Sequence, residues 1–153
     1  MNIYKVTLFG HRNLYAYREV EERLYPILMD LIQTKECVEI YIGRNGEFDI
    51  FAASIVKKLQ KSFGKEKIGM TLILPYPQKD MEYYEQYYDS IMIPEPNEVR
   101  HPKGAITKRN EWMTEQCDLF ICYAKHKNGG TYNALKYARK LEKKILNLAI
   151  DEL

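Results

Sequence analysis

Apolar residues along the chain fall alternately into short unbroken runs and into stretches where they recur every three or four positions. Ile3–Phe9 reads as a strand that ends at Gly10-His11-Arg12. From about Tyr17 to Gln33, the residues Val20, Leu24, Ile27, Leu28, Leu31 and Ile32 recur at helical spacing. Pro26 lies inside that pattern and predicts a kink or a break. Val38–Ile42 reads as a second strand, and Phe51, Ala52, Ile55, Val56, Leu59 and Phe63 mark one face of a second helix. Met70–Leu74 is a third strand, stopped by Pro75 and Pro77. Tyr83–Tyr88 predicts a short helix leading into Ser90–Ile93, after which Pro94, Pro96 and Pro102 mark an irregular loop long enough for a lid or a partner surface. A helix over Ala105–Gln116, a strand over Leu119–Tyr123, a helix over Thr131–Leu141 and a strand over Ile145–Leu148 complete the alternation.

Unbroken apolar strands alternating with helices imply a mostly parallel sheet, of at least five strands, covered on both faces. The expected architecture is three-layer α/β and Rossmann-like, with its ligand beyond the carboxyl ends of the strands. Three segments fall at that edge: Gly10-His11-Arg12, Gly43-Arg44-Asn45-Gly46 and Asn128-Gly129-Gly130-Thr131. The last opens a helix, where unpaired backbone N–H groups and the helix dipole stabilise a phosphate. Two glycine turns at strand-to-helix junctions make an anion-binding domain the leading expectation.

At 153 residues the chain is expected to be one domain, spanning 1–153, able to bury a core without staples. A hydrophobic share of 46% and a charged share of 29% are ordinary for a globular protein. The net charge of +2 makes no global demand for a polyanion, so nucleic acid is disfavoured as a partner. The basic stretches Lys57–Lys67 and Thr131–Lys144 read as solvated helix faces. No apolar run approaches the roughly 20 residues of a membrane span, and the first residues lack the pattern of a signal peptide. Cys37, Cys117 and Cys122 are odd in number and sit in or beside strand patterns, which suits reduced thiols in the cytoplasm. Neither these cysteines nor His11, His101 and His126 have the spacing of a metal site, and no cofactor is implied.

The ordered set of motifs resembles the SLOG superfamily, a Rossmann-like group that includes DprA-type and LOG-type proteins, and within it the YpsA-like branch. The resemblance runs through Gly10-His11-Arg12, Gly43-Arg44-Asn45-Gly46 with Phe48-Asp49 and Ala52-Ala53, and Leu72–Pro75. It continues through Lys108-Arg109-Asn110 with Met113, Asp118, Gly129-Gly130-Thr131, Tyr137-Ala138, and Ile145 with Asn147-Leu148. It implies a nucleotide- or nucleotide-derivative-binding domain and a homo-oligomer, first of all a dimer. Two departures stand out. Arg44 and Glu47 occupy places often held by glycine in YpsA-like sequences, and Glu47 repels an anion there unless it points away or binds a sugar hydroxyl or a metal. The glutamate of the LOG-type phosphoribohydrolase motif has no counterpart in Thr131-Tyr132-Asn133-Ala134-Leu135, although Arg109 matches the LOG arginine.

The ligand-binding candidates are therefore Gly10, His11, Arg12, Gly43, Arg44, Gly46, Asp49, Arg109, Asn110, Gly129, Gly130 and Thr131. Arg44 suits a phosphate because its fork grips two oxygens, and Asp49 suits a ribose or base as an acceptor. Asp118, directly before an apolar strand, reads as structural. Trp112 and the tyrosine run read as core or interface. Three functions follow in order: binding or sensing of a nucleotide or nucleotide-derived ligand; cleavage or transfer at an N-glycosidic bond, for which Glu47 and Asp49 are the candidate catalytic carboxylates; and DprA-like binding of single-stranded DNA.

Overall fold

The computed structural model describes residues 1–94 and 101–149. The elements are β1 (Ile3–Gly10), α1 (Tyr17–Thr34), β2 (Cys37–Ile42), α2 (Glu47–Phe63), β3 (Ile68–Ile73) and α3 (Met81–Tyr87). They continue with β4 (Ser90–Met92), α4 (Pro102–Gln116), β5 (Leu119–Tyr123), α5 (Gly129–Lys140) and β6 (Lys144–Asn147). All the strand pairings are parallel, in the order β4-β3-β2-β1-β5-β6. This is a Rossmann-like α/β fold.

Two cores flank the sheet, because alternate residues of each strand point to opposite faces. Val6 and Leu8 of β1, with Val38, Ile40 and Ile42 of β2, pack against the apolar stripes of α1 and α2. Phe9, Phe120 and Cys122 face the other way, onto Met113 of α4 and Ala134, Leu135 and Ala138 of α5. β3 and β5 are buried along their whole length, which explains why their sequences are apolar without alternation. The helix on the second face is held to the sheet by a polar clamp, in which the Thr7 hydroxyl donates to the Met113 carbonyl at 2.9 Å.

Four local expectations need correction. α1 runs without a break through Pro26. Pro26 is exposed, so the carbonyl it leaves unpaired faces water, while Leu24 and Leu28 anchor the helix on both sides. Pro102 belongs to α4 rather than to the preceding loop, at a first-turn position where a missing N–H costs nothing. α5 begins at Gly129, not Thr131, and ends at Lys140, so both glycines form its first turn. β6 starts one residue earlier than expected, at Lys144. Pro96 lies outside the described residues.

Asp118 has the structural role its position suggested: its carboxylate accepts the Lys5 N–H at 2.9 Å, while its own N–H donates to the Lys5 carbonyl at 2.7 Å. The pair sets β5 in register against β1. Asn147 performs the matching task at the opposite edge, accepting the N–H of Ala124 and donating to its carbonyl. In the tyrosine run, read as core or interface, Tyr84 and Tyr88 are buried while Tyr83 is exposed.

Candidate functional site

The sheet is wound outward in both directions from β1, one way through β2 and the other through β5. That reversal opens a crevice beyond the carboxyl ends of β1 and β5. A cleft of about 1070 Å³ occupies it. One wall is the segment Gly10-His11-Arg12, with Asn45 and Asp49 beside it; the others are α4 from Lys103 to Glu111 and one face of α5 from Gly129 to Lys140. Of the sequence-derived candidates, Gly10, His11, Arg12, Asp49, Arg109, Asn110, Gly129, Gly130 and Thr131 meet here.

The start of α5 presents uncapped backbone donors to the cleft. Asn128 is extended, with φ −152° and ψ 165°, and its side chain makes no capping bond. The first-turn N–H groups therefore have no side-chain cap, and they carry the positive end of the helix dipole. Gly129 sits at φ 88°, a left-handed backbone that strains any residue with a Cβ. Gly130 is different: a Cβ there would meet only Asn110 Nδ2, at 3.7 Å. Glycine at 130 is thus not required by the chain's own packing; it keeps the approach to the turn open.

At the cleft floor lie a buried carboxyl and a buried guanidinium. Arg109, only 3% exposed, donates from Nη1 to the Ile73 carbonyl at 2.9 Å and from Nε to Asn110 Oδ1 at 2.8 Å. Asp49, in the first turn of α2, accepts the Asn45 N–H at 3.0 Å. Burial pushes the Asp49 carboxyl above the ordinary carboxylate range, partly offset by the Asn45 N–H and by the charges of Arg109 and Arg44. Burial likewise lowers the Arg109 guanidinium, against the attraction of Asp49 and Tyr76. A perturbed carboxyl in a cleft is a candidate acceptor or acid, here set beside a fixed cation.

The second glycine turn does not act as a phosphate seat. A side chain at Gly43 would collide with the Arg109 guanidinium, and one at Gly46 with the Arg12 backbone. A Cβ at Gly10 would strike the Phe48 ring. These glycines let the protein's own groups approach closely. Arg44 turns away from the cleft: Nη1 donates to the Tyr88 hydroxyl at 3.0 Å, and the guanidinium lies over the Tyr83 and Tyr84 rings at 5.6 and 5.3 Å. Aromatic faces and a hydroxyl hold it there. Glu47 also points away, its Oε1 accepting the Leu14 N–H at 2.8 Å. It organises the loop after β1 and is no longer a catalytic candidate. His11 lines the cleft but accepts at Nε2 from the Lys125 N–H at 2.8 Å, which puts its proton on Nδ1. Burial, then the neighbouring His126, lowers its pKa.

Sequence reasoning missed Asn128, Asn133, Lys103, Lys136 and Lys140, which line the same cleft. The signal was present in part: Lys136 and Lys140 stand four apart on the helix that the glycine turn opens. The Cys117 and Cys122 thiols do not line the cleft, and burial pushes their pKa values up to about 11 and about 12. Among the described residues no helix is long and apolar enough to cross a membrane.

No protein-family model matches the sequence, and no curated protein sequence matches it either. Solved structures share the fold. DNA processing protein A from Helicobacter pylori, described for its single-stranded DNA binding mode, superposes with a TM-score of 0.65 at 17% identity, over 93% of this chain and 63% of that one. DNA processing protein A (DprA) from Streptococcus pneumoniae gives 0.69 at 12% identity, over 94% of this chain and 49% of that one. The chain therefore spans less than two thirds of each. At these identities the likeness shows the fold, and it does not single out the YpsA-like branch. It also overturns the expectation that nucleic acid is disfavoured as a partner, since the H. pylori protein with this fold is described as binding single-stranded DNA. Net charge was the wrong measure, because a cleft presents its local charge and not the sum over the chain.

Proposed function

We propose that this chain binds single-stranded nucleic acid in the cleft at the carboxyl edge of its sheet, with one phosphate on the first turn of α5. The observation that carries this reading is the uncapped, glycine-opened helix start facing a cleft that Arg12, Lys103, Lys136 and Lys140 also line. The cleft's volume of about 1070 Å³ lies just above the range of about 300–1,000 Å³ for small-molecule sites, which favours a ligand longer than one nucleotide. The fold shared with a protein described as binding single-stranded DNA supports the same class of partner.

A second reading, binding of a nucleotide or nucleotide-derived molecule, is favoured by the buried Asp49 and Arg109 at the floor. Such a pair offers an acceptor and a donor to a sugar or base rather than to a backbone alone. Fluorescence anisotropy with a labelled eight-nucleotide oligothymidylate, set beside thermal shifts with thymidine monophosphate and adenosine monophosphate, separates the two. The oligonucleotide is expected to bind with a log affinity that falls linearly against log salt, by about 0.7 per neutralised phosphate. Stabilisation by mononucleotides, with no oligonucleotide binding at low salt, would establish the second reading in its place.

A further inference from the structure

The loop between β1 and α1 carries a feature that the cleft does not absorb. Leu14 is buried in the core, yet the next residue, Tyr15, is 89% exposed. The loop is fixed: Glu47 Oε1 holds the Leu14 N–H, and the Arg12 carbonyl accepts the Glu47 N–H at 2.7 Å. Leu14 pointing inward thus forces Tyr15 outward on a pinned backbone. Beside it Tyr17 is 41% exposed and meets the Phe51 ring edge to face at 4.9 Å. Arg12, three residues before Tyr15, lines the cleft, so the two lie within about 11 Å along the chain.

We infer that Tyr15 and Tyr17 form a base-stacking platform for the single strand whose phosphate occupies the start of α5; the inference rests on the function proposed above. An exposed aromatic pair next to a cationic groove is the arrangement by which proteins hold unpaired bases without reading their sequence. Arg12, which lines the cleft, stands three residues from Tyr15, so the platform lies within reach of a strand that runs past Arg12. Size argues for bases over a second copy of this chain. A full aromatic side chain presents about 150–250 Å², so two partly exposed tyrosines fall far short of the roughly 800 Å² per partner of a stable protein interface. They match the area of one or two bases.

The test compares Tyr15→Ala, Tyr15→Phe and Gly130→Val with the parent, using labelled eight-nucleotide oligothymidylate and thymidine monophosphate as probes. Tyr15→Ala is expected to cut the octamer's advantage over the mononucleotide about ten-fold, and Tyr15→Phe to retain it, because the ring and not the hydroxyl stacks. Gly130→Val should weaken both probes. An octamer affinity unchanged in Tyr15→Ala, with Gly130→Val still impaired, would overturn the platform and leave the cleft reading intact. Light scattering that shows Tyr15→Ala dissociating a dimer, with octamer affinity unaltered, would assign the surface to a second copy. If the parent binds neither probe, the cleft reading fails and the platform with it.

Discussion

Replacing Arg109 with alanine removes the one cation fixed at the floor of the cleft, and the cost follows from its partners. The guanidinium makes two hydrogen bonds, to the Ile73 carbonyl and to Asn110, from a position only 3% exposed. Hydrogen bonds from a charged donor contribute about 1.5–3 kcal/mol each, and removing one member of a buried charge set costs about 3–5 kcal/mol. With the bonds and the lost charge overlapping, the expected loss is about 4 kcal/mol. At about 2–4 °C per kcal/mol for a chain of this size, the midpoint drops by roughly 8–16 °C. The loss is pH-dependent through Asp49. Its folded-state pKa is raised, so folding keeps its proton where the unfolded chain has released it. Stability therefore falls as pH climbs from the ordinary aspartate value to the folded one, and the penalty is constant above. Arg109 limits that penalty, because its charge pulls the Asp49 pKa back. Arg109→Ala should accordingly be most destabilising at neutral pH and less so in acid, where folded Asp49 keeps its proton and carries no charge for Arg109 to offset. Adding Asp49→Asn should restore part of the stability at pH 7, with a coupling above about 0.5 kcal/mol in a double-mutant cycle. Thermal melts give the midpoints, and urea denaturation at pH 7 and pH 4 gives the free energies and the coupling. A single mutant that melts within 2 °C of the parent at pH 7, or one equally destabilised at both pH values, would refute the reasoning.

Two further outcomes are expected. The two neighbouring glycines should separate folding from binding: Gly129→Ala, forced to a positive φ, loses about 1–2 kcal/mol in urea denaturation, whereas Gly130→Val keeps its stability and loses oligonucleotide binding in anisotropy. His126→Ala should raise the His11 pKa, since His126 is one of the two causes that lower it, and an NMR titration of the His11 ring should record the shift.

The fold was legible because its strongest signals are local. β3 and β5 read as buried strands from their composition alone, and the helix periods of α1 and α2 survive even a proline. α4 was less distinct at its start because Pro102 reads equally as a loop marker or as a first-turn residue. At the site, the glycine–glycine–threonine turn was legible because its chemistry is carried by backbone at a helix start. Arg44 was not. Its direction depends on Tyr83, Tyr84 and Tyr88, some forty residues away, and nothing near Arg44 announces them. Glu47 was misjudged for the same reason, since the N–H it satisfies belongs to Leu14. Lys136 and Lys140 look like any solvated helix face until α4 is laid beside them to make a groove.

The sheet ends in its two shortest strands, three residues in β4 and four in β6, flanking inner strands of five to eight. A long bare edge is a template on which foreign strands can pair, and short edges deny that template. With only three or four residues to pair at either side, adding a strand yields few ladder bonds. Concentrating this protein should therefore leave it dispersed, without its copies fusing edge to edge into a continuous sheet.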